Sequence, residues 1–568
     1  MPAKKEDNLE KEKLLAEIER LKKELKKRKK YGLVWEEKPE EVAEMCKEKL
    51  PVLKEVKSKE IITDPDKPVN LLIEGDNYHA LSVLNYTHEK KIDVIYIDPP
   101  YNKGNMNVRD FIYNDNIVDE EDPYRHSKWL SFMQNRLMLA KNLLKNTGLI
   151  YISIDDTEMA NLKLLMDEIF TEQNFLATLI WRGMHTVRNS SKDFNHNTEY
   201  VLVYAKNLNS LIESGKKETY LRVEKDKTAN YPYDDRDRKG PYKLDPLHAR
   251  NYYTPFEYTF SNGTTWRAPE GRYPAYSKET LEEKDKNNEI IFTGDKIKKK
   301  DGIEIVYKGR EPQMRRYLKD VQEGIPPDTL LQSEEVGFNK DGTTLLREMF
   351  RSKVFDQPKP VNLIKYVLSI KNKKFDYKNS VILDFMAGSG TTGHAVLELN
   401  KEDKGNRKFI LCTNNENNIC TNVCYPRIEK VINGYKNSKG EKVEGLGGNL
   451  KYFKTDFVDA EPTDKNKKKL TEQATEMLCI REGTFELFLE QNRFNIFKSN
   501  SHYTGIIFDQ LAIPEFKKAI KDIKGKFSVY VFSLGDDTFD EEFEDIKQKV
   551  KLSPIPEAIL RVYRRIFK

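Results

Sequence analysis

Two short stretches of the chain combine residue types that can do chemistry. The first is Asp98-Pro99-Pro100-Tyr101, which follows the apolar run IYI. A carboxylate accepts hydrogen bonds, paired prolines fix the direction of a backbone carbonyl, and a tyrosine offers a ring. An amino group conjugated into a base is a poor nucleophile because its lone pair is delocalised. Hydrogen bonds from its hydrogens to Asp98 and to the Pro99 carbonyl would draw the nitrogen toward a tetrahedral, nucleophilic form. The stiff prolines supply the preorganisation such a step requires. Tyr101 would stack on a base flipped out of a duplex. The plain alternative is a strand-ending turn with a buried tyrosine.

The second stretch is LDFMAGSGTTGHAV, residues 383–396. An apolar run ends in Asp384, and Gly388, Gly390 and Gly393 precede a helical pattern. Glycines let the backbone come close to a ligand, and G-x-G-x-x-G after a strand is a dinucleotide-type loop. No Gly-Lys-Ser/Thr follows, so this is not a nucleoside-triphosphate loop. Glu416, 26 residues past Gly390, ends the run FILCTNNE. An acid at that distance suits a ribose hydroxyl pair, although a solvated loop acid is the bland reading. A dinucleotide and S-adenosyl-methionine both fit this much. The first stretch decides between them, since a nicotinamide enzyme has no use for it and a methyltransferase acting on an amino group does.

These residues need elements to hold them. NLLIEGD, DVIYIDPP, GLIYISIDD and EYVLVYAK read as strands, with helical periodicity between them. Strands separated by helices of ~10–15 residues imply a parallel sheet wrapped by helices. The same alternation resumes from about residue 355 to 434. Between lie residues in which aromatics reach roughly a quarter over 231–276, interleaved with Arg236, Arg238, Lys243, Arg250, Arg267 and Arg272. That mixture suits a nucleic-acid surface and equally a small β domain with an aromatic core. Leu14, Ile18, Leu21 and Leu25 make a short a/d seam, followed by the basic run KKELKKRKK. The segment DKNKKK, residues 464–469, reads as a charged linker, and IPEAILRVYRRIF as a final amphipathic helix.

Composition narrows the classes. A chain of 568 residues exceeds one core, and a net charge of +5 is too small to argue nucleic-acid binding by itself. Five cysteines, an odd and sparse set, read as reduced thiols in packing positions; Cys412, Cys420 and Cys424 fit no zinc spacing, and no metal is expected. No apolar run approaches a membrane span.

Taken together, the two stretches resemble the catalytic and cofactor motifs of amino-group DNA methyltransferases. The catalytic motif comes first, then the aromatic region, then the cofactor loop, which resembles the β-class order and its type III restriction–modification Mod subunits. The resemblance implies a circularly permuted Rossmann-like α/β fold with an inserted target recognition domain and a C-terminal α+β domain. Its divisions would be a helical arm at 1–68, a catalytic half at 69–205, the recognition domain at 206–345, a cofactor half at 346–455 and a C-terminal domain at 456–568. It implies that Asp98, Pro99, Pro100 and Tyr101 hold the target base, and that Gly388, Ser389, Gly390, Thr391 and Thr392 wrap the methionine end of S-adenosyl-methionine, with Asp384 at the loop's start. Glu416 would take the ribose, Asp76 would face the adenine with Asn77 beside it, and Lys359 and Pro360 would lie near the methionine carboxylate. Met386 stands where the family has phenylalanine, and Met can fill the same apolar site. The aspartate implies adenine N6; cytosine N4, RNA and protein amides are the alternative substrates, and a DNA-binding subunit with a vestigial site is disfavoured by intact motifs. Type III membership would imply a homodimer, a Res helicase–nuclease partner and a cytoplasmic protein on nucleoid DNA; an orphan enzyme acting alone is the other arrangement.

Overall fold

The computed structural model describes residues 35–567 apart from 105–110, 115, 186–193, 213–220, 225–229, 236–238, 293–295, 301–302, 308–311, 321–323, 373, 500–501 and 536. The N-terminal seam, its basic run, Arg236 and Arg238 lie outside the described residues.

In chain order the main elements are α1 (Glu41–Glu48), β1 (Lys49–Glu55), β2 (Val69–Glu74), α2 (Asn77–Thr87), β3 (Ile92–Ile97), α3 (Arg125–Leu143), β4 (Leu144–Ile154), α4 (Met159–Phe170), β5 (Phe175–Arg182) and β6 (Thr198–Ala205). The second series is α5 (Asn339–Phe350), α6 (Val361–Leu368), β7 (Val381–Asp384), α7 (Thr391–Asp403), β8 (Lys408–Thr413), α8 (Tyr425–Asn433) and β9 (Asn449–Asp459). They build one sheet ordered β1-β9-β2-β8-β7-β3-β4-β6-β5, completed by two short strands. From β9 to β4 the neighbours are parallel. β6 runs antiparallel to both β4 and β5.

All six residues of β3 are buried. A parallel strand covered on both faces is read as an unbroken apolar run for this reason. Its one acid, Asp93, is satisfied by Lys145 at 2.7 Å and by the Val381 N–H at 2.9 Å. Asn70 ties three strands together, donating to the Asn449 carbonyl at 3.0 Å and accepting from the Phe409 N–H at 2.9 Å.

The order of the strands creates the site. The chain leaves β7 through α7 toward β8, and leaves β3 through α3 toward β4, in opposite directions along the sheet. The crevice beyond the carboxyl ends of β7 and β3 is therefore a topological switch point, where doubly wound sheets bind ligands. Asp384 ends β7, and Asp98 follows β3 directly. The fold is thus a Rossmann-like α/β sheet in which the glycine-loop half follows the aspartate half in sequence.

Several boundaries differ from those expected. The arm at 1–68 is not all helix, because residues 49–55 form β1, which pairs antiparallel with β9. Four consecutive buried residues, Leu50 to Leu53, make that segment a sheet edge rather than a solvated arm. Leu221–Pro327 forms a compact unit of its own, narrower than 206–345. Leu330–Leu331, just after it, already pairs with β5 in the main sheet. Within that unit Leu247, Tyr258, Phe260, Trp266, Leu281 and Met314 form the core, while Tyr252 and Tyr253 are exposed. The small β domain with an aromatic core is what the structure shows of this region.

The DKNKKK segment is helix Asp464–Gln473, not a linker, with Thr463 capping it and Leu470 and Thr471 buried. The region after it carries a five-stranded sheet from Glu486 to Ile555. Its final helix, Glu557–Ile566, buries Ile559 and Tyr563 in the same core that contains Ile95 of β3, and the Tyr563 hydroxyl donates to the Pro51 carbonyl. An amphipathic helix needs a partner for its apolar stripe, and here α2 and the adjoining strand Val550–Ile555 supply it. All five cysteines are buried and unbridged. Among the described residues no helix is long and apolar enough to cross a membrane.

Candidate active site

A cleft of ≈ 420 Å³ opens at the switch point. Asp76, Asn77, Asp98, Pro100, Gly388 and Glu416 line it, so residues 340 positions apart in sequence meet there. Phe355, Phe385, Met386 and Ile419 make an apolar wall. Glu40, Phe111, Tyr113, Phe132 and Arg136 also line it, none of them marked by a motif.

The Asp98 loop is fixed from several sides. Trp129 of α3 is fully buried, and its indole N–H donates to the Pro100 carbonyl at 2.7 Å. Pro99 itself is buried and is not among the residues that line the cleft, whereas Pro100 is. Asn102, in the left-handed region at φ 57°, donates to Glu158 at 2.5 Å and anchors the loop's exit. Trp129→Phe keeps an aromatic ring, removes the donor and leaves part of the indole's volume empty. It is expected to cost about 2 kcal/mol of stability and to lower turnover by roughly tenfold or more through loss of loop alignment. Chemical denaturation and steady-state rates measured on the same preparation check both.

Tyr101 is 8% exposed, and its hydroxyl donates to Glu199 Oε2 at 3.0 Å. The expected stacking on a base is therefore not set up in this structure, because the ring is buried and its polar end engaged. Lys359 also departs from expectation. Its ammonium lies 3.0 Å from Asp98 Oδ1, as an ion pair rather than an aligned hydrogen bond, and 3.2 Å from Glu199 Oε2. It turns to the acid of the first motif rather than to the cofactor end of the cleft. Pro360 caps α6 and backs Gly337 instead of lining the cleft. Asn339 of α5 donates to the other Glu199 oxygen at 2.6 Å. Burial pushes the Asp98 carboxyl above its usual range; Lys359 opposes the shift and Glu199 adds to it. Burial also works against the charged form of Glu199, but Lys359, Asn339 and Tyr101 outweigh it and hold that carboxyl below its usual range.

The glycine loop is built from behind. Gly388 and Gly390 have φ 48° and 79°, values that disfavour any side chain. The side chains of Ser389, Thr391 and Thr392 are buried and turn away from the cleft. Arg427 of α8, fully buried, donates to Ser389 Oγ at 3.1 Å and to Thr391 Oγ1 at 2.8 Å. Burial lowers its guanidinium to about 10. Thr392 donates to Asp384 at 2.5 Å, and the Met386 N–H donates to the other Asp384 oxygen at 3.0 Å. Burial lifts Asp384 to about 7. These residues shape the loop, and of residues 388–392 it is Gly388 that lines the cleft, beside Phe385 and Met386.

Across the cleft Asp76 caps α2, accepting from the Tyr78 N–H at 2.7 Å. Arg136 is shared among Glu40 at 2.7 Å, Asp76 at 3.4 Å and Asn77. This buried cation fixes the acidic rim.

A family model described as DNA methylase matches residues 92–423, more than half of the chain and both motifs. The chain belongs to this DNA methylase family. It is 35% identical over 394 residues to the type III restriction-modification enzyme StyLTI Mod subunit of Salmonella typhimurium (strain LT2), covering 64% of this chain and 55% of that one. It is 31% identical over 398 residues to the type II methyltransferase M.KpnI of Klebsiella pneumoniae, covering 68% of this chain and 90% of that enzyme. The chain thus spans little more than half the length of the first relative and nearly all of the second. A crystal structure of the M1.HpyAVI–SAM complex is similar over 63% of this chain and 97% of that one, at 13% identity and a TM-score of 0.29. As a member of the DNA methylase family, the chain brings its Asp98 and Gly388 motifs to one cleft.

Proposed function

We propose that the protein is a site-specific DNA methyltransferase that methylates N6 of an adenine flipped out of duplex DNA, with S-adenosyl-methionine as donor. The observation that carries this reading is that Asp98 and Gly388, 290 residues apart, line the same switch-point cleft with Glu416.

The residues fit the cofactor. A Cβ at Gly388 would lie 3.1 Å from the Phe355 ring, so only a bare backbone leaves that wall open. Glu416 would accept from the ribose hydroxyls, Asp76 and Asn77 would face the adenine, and Phe355, Phe385 and Ile419 would cover apolar surface. When bound, the cofactor supplies a methyl carbon on a sulfonium: the N–C bond forms as the C–S bond breaks, sulfur keeps the bonding pair, and the nitrogen then sheds a proton. Asp98 and the Pro99 carbonyl accept from the target amino group, localise its lone pair and aim it. The Asp98 carboxylate takes the released proton and passes it to solvent. Trp129 and Asn102 hold that loop so that no reorganisation is needed at the moment of transfer.

Leu221–Pro327 would be the part that reads DNA, through exposed groups such as Arg250, Tyr252 and Tyr253. Arg250→Ala is expected to weaken DNA binding, flatten its salt dependence by ~1 unit of slope and leave cofactor affinity unchanged. Fluorescence anisotropy over a salt series checks it.

Likeness to the StyLTI Mod subunit favours a modification subunit that forms a homodimer and pairs with a Res helicase–nuclease. The 90% coverage of M.KpnI favours a methyltransferase that acts alone. Light scattering of the purified chain, with and without a co-expressed helicase–nuclease, separates the two arrangements. The function itself is tested by single-molecule sequencing of DNA from cells expressing the protein. Modified adenines at one recurring sequence are expected; DNA free of modification overturns the reading.

A further inference from the structure

We propose that Lys359 and Glu199 are positioning residues for Asp98, a buried cation and its counter-acid that hold the Asp98 carboxylate ionised and aimed at the target amino group. This inference rests on the methyltransferase reading above.

Lys359 is 7% exposed and stands between two carboxylates, 3.0 Å from Asp98 and 3.2 Å from Glu199. Asp98 keeps 29% of its side chain exposed, on the cleft side, while Glu199 keeps 14%. Three separate elements converge here: the loop after β3, the start of β6 and the segment before α6. Glu199 is braced on both oxygens, by Tyr101 and by Asn339. Other titratable groups near Asp98 or its neighbours are Tyr96 and Tyr101 from its own segment, Asp384 from the end of β7, and Lys103, which lies 5.4 Å from the Tyr101 ring centroid and pairs with Asp155. Nothing in the hydrogen bonding of Lys359 addresses the Glu416 end of the cleft.

The charge count gives the arrangement its purpose. Two carboxylates in one buried site cannot both ionise without a cation, and one of them would keep a proton. A protonated Asp98 could neither accept an amino hydrogen well nor take the proton that nitrogen sheds. With Lys359 present both acids are charged, and the cluster keeps one net negative charge. The amino nitrogen gains positive charge as the N–C bond forms, so a fixed negative charge beside it stabilises the transfer. Glu199 also anchors Lys359, so that the ammonium does not neutralise Asp98 completely. Tyr101 then has a role that needs no exposed ring, since it fixes the far end of the cluster.

The test is the pH dependence of kcat for wild type, Lys359→Met, Glu199→Gln and the double variant, with S-adenosyl-methionine affinity measured by calorimetry. Lys359→Met is expected to lower kcat at neutral pH by on the order of tenfold or more and to move the acid limb up by about one pH unit or more. Glu199→Gln keeps the shape and the acceptor for Tyr101, and is expected to move the limb down. The double variant leaves Asp98 as a lone acid, and its limb is expected back near that of the wild type. Cofactor affinity is expected to stay within about threefold throughout, since a tenfold change would already correspond to a lost ~1.4 kcal/mol contact. An acid limb that does not move in either single variant overturns the inference, as does a double variant no better than Lys359→Met. A Lys359→Met protein that loses cofactor affinity would assign the lysine to the cofactor and also overturn it. If Lys359→Met does not fold, the downward shift in Glu199→Gln still decides. Absence of any methyl transfer by the wild type is a different failure, that of the methyltransferase reading itself.

Discussion

Asp98→Ala is expected to reduce methyl transfer to DNA by on the order of 10²–10³-fold or more, while S-adenosyl-methionine binding stays close to wild type. The carboxylate faces the cleft from the end of β3 and is the one ionisable acceptor of the proline loop. Its loss removes the acceptor that localises the amino lone pair and the base that takes the released proton, two contributions made in the transition state. The fold should tolerate the change. Glu199 remains 3.2 Å from Lys359, so the buried ammonium keeps a counter-charge. The alanine also leaves the Trp129–Pro100 bond untouched. Calorimetry against the cofactor, paired with single-turnover rates, separates the two effects. A variant that loses cofactor binding in parallel with turnover would place Asp98 in the wrong site.

The opposite pattern is expected for Gly390→Asp: cofactor affinity lost, about 100-fold or more, with turnover lost in consequence. Gly390 has φ 79°, and a Cβ there would lie 3.1 Å from Cys424 Sγ and 3.6 Å from the backbone of the same residue and from Ile428. An L-residue at that φ is strained by ~1–2 kcal/mol, and a carboxylate pressed into an apolar interior costs more. The loop must shift to relieve both, and Gly388, two residues earlier, moves with it. Some stability is lost too, so the comparison needs Gly440→Asp as a control; that position also has positive φ but open space around it. A Gly390→Asp protein that binds the cofactor normally would show that the loop does not shape the cleft.

How far the site could be read in the sequence depended on range. The two motifs carry their meaning locally: an apolar run ended by Asp-Pro-Pro, and a run ended by glycines before a helix. Unbroken apolar strands such as residues 92–97 declare a parallel sheet for the same local reason. The supporting residues have no local signature. Trp129, 29 residues from Pro100, looks like any core tryptophan of an amphipathic helix. Glu199, the second residue of the strand TEYVLVYA, sits in no motif, yet it pairs with a lysine 160 positions later. Arg427 and Arg136 are buried cations, which charge counting treats as surface. The motif points Lys359 at the methionine carboxylate of the cofactor, and the structure puts its ammonium at Asp98 instead. The charged run at 464–469 misleads in the other direction, since a capped helix needs only one or two buried positions to dock.

If one cleft presents an amino group of adenine in DNA to a methyl donor, the methylated product itself must carry the label. The purified protein is incubated with tritium-methyl S-adenosyl-methionine and duplex DNA, the DNA is digested to nucleosides, and the label is separated by chromatography. Label is expected in N6-methyl-2′-deoxyadenosine and is expected to be lost in Asp98→Ala. Label confined to cytosine, or no label in DNA while the cofactor binds normally, would contradict the adenine-N6 reading.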